Sequence, residues 1–270
     1  LDLVAALAAR SVRRVEGDRR FRVFRQSSGQ YSNLAMRQDI APGRNRDFVR
    51  AVQLLFDRKR IAESVALGNA IVANDQPIHP SNRFWFAGLP QREADPDRAR
   101  YHFRRSGLGS APIPVVASPA ANYSVEMTLV LQQAAGRIGM NLQLQRMPSD
   151  GYWSNHWGKS PVGWGNVNAR PNADAVLTQF FKSDAGNNDA HWQDPKFDQL
   201  LLAARSEIDE ARRKALYADM QVLIHEKGGV AIPLFLSSLD AHSARLKGLS
   251  TIPVGGLMGY EFAEHVWWDA

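Results

Sequence analysis

The chain has 270 residues, of which 44% are hydrophobic and 22% are charged, and it contains no cysteine. This composition excludes a disordered chain, a collagen-like chain, a disulfide-stapled domain, thiolate catalysis and cysteine-ligated metal centres, while the length fits roughly one or two globular domains. The net charge of +6, from 33 Lys+Arg against 27 Asp+Glu, is modest and spread along the chain, which weighs against a nucleic-acid-binding module.

The apolar N-terminal stretch is not predicted to be a signal peptide, because it contains Asp2 and lacks a basic region before it. We interpret it as an amphipathic helix, over about residues 2–14, that continues from a longer chain. No segment approaches the roughly 18 consecutive apolar residues of a transmembrane helix. A membrane span is therefore not predicted.

Hydrophobic periodicity predicts alternating strands and helices along the rest of the chain. The predicted elements of the first half are strands over 20–24 and 31–36, a helix that begins near Phe48, restarts at Ile61 and ends at Gly68, an ordered surface loop over 76–90, and a helix between Asp95 and Gly107. Those of the second half are a strand over 113–117, a helix over 122–138, a strand over 140–144, helices that begin at Asp194 and Asp209, and a strand over 230–235. This alternation predicts an α/β fold with helices packed on a sheet.

No motif for catalysis or cofactor binding is complete. His225-Glu226 begins a zinc-binding H-E-x-x-H motif without its second histidine, and Gly158-Lys159-Ser160 lacks the first glycine of a phosphate loop. Gly163-Trp164-Gly165 lacks the third glycine of a dinucleotide fingerprint, and no G-x-S-x-G elbow is present. The sequence therefore predicts no catalytic residue, no metal ligand and no cofactor.

Two other functions remain open from the residues alone. Because catalytic triads need no local motif, a hydrolase with dispersed acidic and histidine residues, such as His156, His191 and Asp174, is one alternative. A basic nucleic-acid-binding module is the other. It requires Lys and Arg side chains gathered on one face and an affinity that falls steeply with salt.

The stretch from Tyr152 to Trp192 is rich in tryptophans, glycines and amide side chains. Indoles offer broad apolar contact, glycines let a ligand approach the backbone, and amides or ions fix its orientation. This mixture predicts either the wall of a ligand pocket or an irregular loop whose tryptophans cover the core. Composition does not decide between the two.

Several short motifs occur in the order and at the spacing of one family. They are Arg46-Asp47-Phe48-Val49-Arg50-Ala51-Val52 followed by Phe56-Asp57-Arg58-Lys59-Arg60-Ile61, Asp95-Pro96-Asp97-Arg98-Ala99, Ile138-Gly139-Met140-Asn141-Leu142, Asp194-Pro195-Lys196-Phe197-Asp198, Ile232-Pro233-Leu234 and Leu246-Lys247-Gly248-Leu249. In these motifs the chain resembles the C-terminal part of the extracellular solute-binding proteins of family 5, the peptide, dipeptide and nickel receptors of ABC importers. The resemblance covers nearly the whole chain.

The resemblance implies a type II periplasmic-binding-protein fold, in which a hinge joins two lobes and the ligand lies between them. Residues 1–24 and 234–270 then belong to the first lobe, most of which is expected to lie outside this sequence, and residues 25–233 form the second lobe, a mixed sheet flanked by helices. The implied function is that of a monomeric receptor that delivers a peptide or similar solute to membrane permease subunits. The expected location is the periplasm or the cell surface, with no cofactor, no nucleic acid and no enzymatic activity.

By the same resemblance, residues around the Gly-Trp-Gly segment line the ligand cleft. The expected ligand-binding residues are Tyr31, Asn33, Tyr123, Trp164, Gly165, Asn166, Val167, Asn168, Arg170 and Asp174. Val167 stands where family members commonly place an aspartate for the α-amino group of a peptide, so no ion pair is expected there. A ligand carboxylate is expected to meet Arg170 or the N-terminal amides of the helix at residues 122–124, unless Arg170 forms an ion pair with Asp174.

Since one lobe would be largely missing, we expect the 270-residue chain alone to bind its ligand weakly or not at all. The ligand classes left open are an oligopeptide, a dipeptide, a metal chelate and a sugar-like solute. Isothermal titration calorimetry checks this expectation, and a sub-micromolar affinity of the isolated chain would contradict it.

Overall fold

The computed structural model describes residues 2–252, 256–259 and 261–269. The strands are β1 (Leu3–Val4), β2 (Phe21–Met36), β3 (Ala70–Val72), β4 (Ile113–Ala117), β5 (Leu142–Arg146), β6 (Val162–Val167), β7 (Val230–Ala231), β8 (Leu234–Ser243), β9 (Leu246–Lys247) and β10 (Trp267–Trp268). The helices are α1 (Val12–Glu16), α2 (Arg46–Leu54), α3 (Arg58–Ser64), α4 (Pro96–Ser106), α5 (Ser124–Gly136), α6 (Tyr152–Asn155), α7 (Ala173–Phe181), α8 (Pro195–Ser206) and α9 (Glu210–Lys227). Short 3₁₀ turns cover Ala9–Ser11 and Phe262–Glu264, and a left-handed turn covers Gly256–Gly259.

The main sheet is mixed, and this confirms the predicted α/β class with helices flanking a sheet. Its strand order is β1-β8-β2-β6-β4-β5, with β3 beside β8 and β7 beside β2. Strand β4 pairs in parallel with β5 and β6, whereas the other pairs are antiparallel. Strands β9 and β10 form a separate two-stranded ribbon.

Strand β2 connects the two ends of the sheet. Its first half pairs with β8, from Phe21 opposite Ser243 to Tyr31 opposite Phe235, with an irregularity between Ser27 and Gln30. Its second half, residues 31–36, pairs with β6. The implied lobe boundaries, between residues 24 and 25 and between 233 and 234, fall inside β2 and at the start of β8.

The sheet separates two hydrophobic cores, because successive side chains of a strand point to opposite faces. Leu34 and Met36 of β2 lie in the first core, with Trp164 and with residues of α2 to α5. Tyr31 and Ala35 lie in the second core, with residues of α7, α8 and α9. The alternation along β2 therefore decides which helices cover each face.

Aspartate caps start three helices as the sequence predicts. The side chains of Asp95, Asp194 and Asp209 accept hydrogen bonds from backbone N–H groups in the first turns of α4, α8 and α9. Proline follows the first two of these caps, and Gly107 ends α4 with a φ of 69°. Asp57 caps α3 in the same way.

The predicted N-terminal helix over residues 2–14 is wrong. Leu3 and Val4 instead pair with β8 at the edge of the sheet, and Ala6 has a φ of 56° that no α-helix contains. In this region the helical residues are those of the 3₁₀ turn Ala9–Ser11 and of the short α1. Pairing with a sheet edge outweighs the helix propensity of an alanine-rich stretch.

Other elements differ from the sequence prediction in extent. The two predicted strands over 20–24 and 31–36 are one strand, β2, because the segment between them stays paired apart from the irregularity. The predicted strand over 230–235 is divided into β7 and β8, since Pro233 has no N–H for the ladder. Strand β6 and helix α7, inside the stretch from Tyr152 to Trp192, were not predicted.

The exposed residues Trp267 and Trp268 form the ribbon with β9. Within the described residues, no helix combines the length and the apolarity that crossing a bilayer requires.

A buried ion network joins the loop after β3 to the rest of the fold. The carboxylate of Asp75 accepts hydrogen bonds from Arg58, at 2.7 Å, and from Arg92, and all three side chains are 4% exposed or less. Asp75 also accepts from the backbone N–H of Ile232, and Arg92 donates to the carbonyl of His225. Burial raises the pKa of Asp75, but the two guanidinium groups more than offset that effect and hold the pKa below 3.8.

We expect Asp75→Asn to lower the free energy of unfolding by about 3–5 kcal/mol, because it leaves the buried Arg58 without a counter-charge and leaves Arg92 with only the more exposed Glu226, at 3.7 Å. Chemical denaturation followed by circular dichroism measures this. The contribution of Asp75 is present at neutral pH and is lost as the pH falls below 3.8 through the lowered pKa, so the difference between the two proteins narrows in acid. The control is Glu93→Gln, which removes the exposed Lys59–Glu93 pair and leaves stability nearly unchanged. Equal stability of Asp75→Asn and the wild type at pH 7 would contradict the prediction.

Candidate ligand-binding cleft

A polar cleft of about 610 Å³ lies between two groups of segments that are distant in sequence. The first wall consists of residues 5–10, residues 236–240 and Gly256, and the second consists mainly of Asn122, Tyr123, Glu126 and Asn168. Gln30 also lines the cleft and adjoins the first wall, because it is the strand partner of Leu236. We call this space the polar cleft. Its volume is within the range of roughly 300–1,000 Å³ that is typical of small-molecule sites.

A row of amide side chains lies along the second wall. Asn122 donates to Asn166 over 3.1 Å, Asn166 donates to Asn168 over 3.4 Å, and Gln30 donates to Asn168 over 3.5 Å. The register of β2 with β6 produces this row, because it sets Ser32 opposite Asn166, and Ser32 donates to both Asn166 and the carbonyl of Asn122. Each amide carries both donors and acceptors, so the row suits a polar ligand without a net charge at this point.

The start of α5 forms the edge of the polar cleft. The hydroxyl of Ser124 donates to the carbonyl of Ser118 and accepts from its N–H, which fixes the turn before the helix. Tyr123 at the N-cap has a φ of 57°, which is uncommon for a residue with a large side chain. Burial, and then the nearby Glu126, raise the pKa of Tyr123. Strained backbone of this kind is often found at ligand sites.

The first wall is fixed by hydrogen bonds to β8. Ala6 donates its N–H to the buried carboxylate of Asp240 over 2.9 Å, and Leu7 donates to the carbonyl of Leu239. Ala6, like Tyr123 across the cleft, has a positive φ. Residues 5–10 are thus placed by contacts with β8 and not by a helix.

Three of the predicted site residues lie in the cores. Trp164 is 1% exposed, donates its indole N–H to Thr128 over 2.7 Å and packs edge-on against Phe56. Tyr31 and Val167, which are opposite one another in the sheet, are also buried. In this structure they can support the polar cleft but do not line it.

Asn33 and Gly165 belong to a second polar cluster on the opposite face of the sheet from α5. Asn33 donates to both carboxylate oxygens of Asp189, at 3.0 and 3.3 Å, and the indole of Trp157 donates to the same group over 3.2 Å. Burial raises the pKa of Asp189, although these hydrogen bonds oppose the shift. Gly165 lies directly against the cluster, so a backbone without a side chain is needed there.

Arg170 and Asp174 lie in another cavity, away from the polar cleft. The ion pair proposed between them is wrong: Asp174 pairs with Arg205 over 2.8 Å, whereas Arg170 donates to Gln179 and lies over the ring of Phe180. Among the predicted residues, the structure therefore brings the side chains of Tyr123, Asn166 and Asn168 together. Arg170 and Asp174 line the other cavity, although Arg170 donates to the backbone carbonyl of Asn168.

Sequence reasoning missed Gln30, Asn122, Glu126 and Asp189 as site residues. Asn122 and Glu126 adjoin Tyr123 on the predicted helix, so helix periodicity could have included them. Gln30 and Asp189 reach their positions only through strand pairing and loop packing, for which the sequence holds no local signal.

The residues of the hydrolase alternative do not assemble. Asp174 is paired with Arg205, His191 lies 3.6 Å from Asp39, and His156 packs beside Tyr152. No hydrogen bond or ion pair joins two of the three named residues. In the described part of the chain, no three His, Asp or Glu side chains are grouped in a way that could hold a metal ion.

Comparison with known proteins identifies the family. The family described as "Bacterial extracellular solute-binding proteins, family 5 Middle" matches residues 1–188. The chain belongs to this family. One curated relative is the "Peptide transport periplasmic protein SapA" of Salmonella typhimurium, which is 26% identical over 270 residues, covering 94% of this chain and 48% of SapA. The chain spans between 27% and 48% of the lengths of the curated relatives it matches.

Solved structures confirm the fold of a type II periplasmic binding protein. A periplasmic binding protein DppA from Helicobacter pylori, in complex with the peptide STSA, has a TM-score of 0.87 and 16% identity, covering all of this chain and 53% of DppA. NikZ from Campylobacter jejuni, in complex with Ni(L-His), has a TM-score of 0.85 and 19% identity, covering 98% of this chain and 57% of NikZ. At these identities the likeness concerns the fold.

We expect Gly165→Ala to lower the free energy of unfolding by about 1–3 kcal/mol. An added Cβ would lie 2.5 Å from a carboxylate oxygen of Asp189 and 2.8 Å from the side-chain oxygen of Asn33, and Asp189 cannot move without losing its hydrogen bonds. Thermal and chemical denaturation measure the loss. Gly186→Ala is the matched control, since its Cβ would meet no atom within 4 Å, and its stability stays within about 0.5 kcal/mol of the wild type. Equal stability of the two variants would contradict the assignment.

Proposed function

We propose that this chain is the ligand-binding part of the receptor of an ABC importer, which captures a peptide or similar small polar solute between two lobes and delivers it to membrane permease subunits. The observation that carries the proposal is the polar cleft, present in a member of family 5. Its amide row is placed to donate to, and accept from, a solute held between the two walls.

We propose that the two walls correspond to the two implied lobes. Residues 5–10 and 236–240 come from the segments assigned to the first lobe, and Asn122 and Asn168 come from the segment 25–233 assigned to the second. Gln30, the strand partner of Leu236, lies where the two segments join. Strands β2 and β8 run from one wall to the other as a paired ribbon, which is the arrangement that a hinge needs. Closure about this ribbon would bury the solute and present the closed form to the permease.

Recognition of the solute would rest on hydrogen bonds at the amide row. Val167 is buried and carries no charge, so it supplies no partner for a peptide amine. The first turn of α5 carries Glu126, which lines the polar cleft and offers the negative charge that Val167 lacks. A solute with amide or hydroxyl groups fits the amide row, and a free amine on the solute fits Glu126. A short peptide has both amide groups and a free amine.

The family supports a location outside the cytoplasmic membrane, because its members are extracellular solute-binding proteins. We propose that the protein lies in the periplasm or at the cell surface and acts as a monomer without catalytic activity. No hydrogen bond or ion pair joins any two of His156, His191 and Asp174, which agrees with binding without chemistry.

The experiment is mass spectrometry of the solute that co-purifies with the full-length receptor from its native host, since the 270-residue chain alone is expected to bind the solute weakly. We expect a small polar solute of unchanged covalent structure. The double variant Asn122→Ala with Asn168→Ala should weaken its binding by about tenfold or more, because two hydrogen-bonding amides are lost.

Asn141→Ala is the control, since Asn141 donates to the carbonyl of Ser110 outside the polar cleft. Turnover of the solute, or equal retention of it by the double variant and the control, would contradict the proposed function.

A further inference from the structure

A second cavity, of about 760 Å³, lies on the side of the sheet opposite α5. Four arginine side chains line it, Arg83, Arg170, Arg205 and Arg213, and we call it the arginine cavity. The loop over 77–84, the start of α7 and helices α8 and α9 supply its walls, and α7 to α9 pack in the second core. It shares no lining residue with the polar cleft.

The arginine cavity has an excess of positive charge. Asp174 is the one carboxylate among its lining residues, and it is paired with Arg205 at 2.8 and 3.2 Å. Among the residues that the structure describes, no carboxylate lies within ion-pair distance of Arg83, Arg170 or Arg213. Three guanidinium groups therefore line one concave space without an ion-pair partner, and we call them uncompensated, although Glu210 attracts Arg83 from beyond ion-pair distance.

The three uncompensated guanidinium groups are held by neutral neighbours. Arg83 and Arg213 lie against the ring of Phe84, at 4.7 and 5.4 Å from its centroid. Phe84 in turn stacks on Tyr217 at 4.3 Å. These contacts fix the positions of the planar groups while leaving their charge unneutralised.

Two of these arginines retain unused hydrogen-bonding capacity. The Nε atom of Arg213 is buried and has no hydrogen-bond partner. Arg170 donates its Nε to Gln179 and one terminal nitrogen to backbone carbonyls, with no anionic partner. Guanidinium groups bind carboxylate and phosphate oxygens with paired, charge-assisted hydrogen bonds.

His79 contributes no further positive charge. Burial lowers its pKa, and its ring nitrogens lie within hydrogen-bond distance of the hydroxyls of Ser27 and Ser81. Near neutral pH the charge of the arginine cavity therefore comes from its arginines.

We propose that the arginine cavity binds a small polyanion, a molecule that carries two or more negative charges on phosphate or carboxylate oxygens. Its volume suits a small molecule, and the three uncompensated guanidinium groups match two or more anionic groups on one ligand. The site is separate from the polar cleft and does not depend on the transported solute. The sequence predicts that Arg170 binds a ligand carboxylate in the ligand cleft. The proposal keeps an anionic ligand for Arg170 but places it in the arginine cavity.

The experiment is isothermal titration calorimetry of the 270-residue chain with inorganic pyrophosphate and, separately, with citrate, at low ionic strength. We expect saturable binding at one site by at least one of the two. Binding of pyrophosphate alone assigns a phosphate ligand, binding of citrate alone assigns a carboxylate ligand, and binding of both supports the shared class.

Arg213→Gln should weaken the binding by about tenfold or more, since it removes a charge-assisted interaction. Arg212→Gln is the matched control on the same helix, because Arg212 is exposed and does not line the arginine cavity. It removes the same charge and should leave the affinity within about twofold. Thermal unfolding checks that both variants fold. If Arg213→Gln does not fold, the measurement is repeated with Arg83→Gln, which changes an exposed position.

Absence of saturable binding of both probes up to about millimolar concentration would overturn the proposal. So would an equal loss of affinity in Arg212→Gln and the cavity variants, which would indicate general attraction to a basic protein. Loss confined to the cavity variants supports it.

Discussion

The double pairing of strand β2 is the constraint on which the rest of the structure depends. One edge of this strand pairs with β8 and the other with β6, so a single segment sets the relative position of most of the main sheet. The alternation of residues 31–36 then assigns α2 to α5 to one face and α7 to α9 to the other. The polar cleft and the arginine cavity lie on different sides because the strand has two faces.

The buried network around Asp75 gives the loop over 73–92 a fixed position beside this strand. Through Ile232 the network reaches the junction of β7 and β8, and through His225 it reaches the end of α9. A buried ion group of this kind adds little net stability over an apolar core, but removing one member is costly. The main effect of the Asp75 network is therefore to fix the position of the loop over 73–92, and its net contribution to the free energy of unfolding is small.

Helix starts and fold class could be predicted from the sequence because their causes are local. An aspartate followed by proline determines the beginning of α4 and of α8 whatever the surrounding fold. The start of the chain could not be predicted, since β1 forms only by pairing with β8, more than 230 positions away. The family, by contrast, was recognisable because many short motifs kept their order.

The candidate sites were predictable only in part, for the same reason. Asn168 was found through its place beside the Gly-Trp-Gly segment, and Tyr123 through its place at the start of a predicted helix. The Gly-Trp-Gly segment also includes Trp164, which the alternation of β6 turns into the core. Arg170 follows six residues later and reaches the opposite face, where it contacts Gln179 and Phe180 of α7. Position in a motif indicates a region, and the direction of the strand decides which of its members a ligand can reach.

The irregularity between Ser27 and Gln30 has an evolutionary consequence. Ser28 and Gly29 of β2 have no partner residues in β8, so the ladder before them and the ladder after them have independent registers. An insertion or deletion in one of these ladders can therefore be accommodated at the irregularity. The side chains of the other ladder then stay on the same faces of the sheet. The ribbon can thus change in length at the end that contains Phe21 and Ser243, while the end that bears the amide row keeps its pattern.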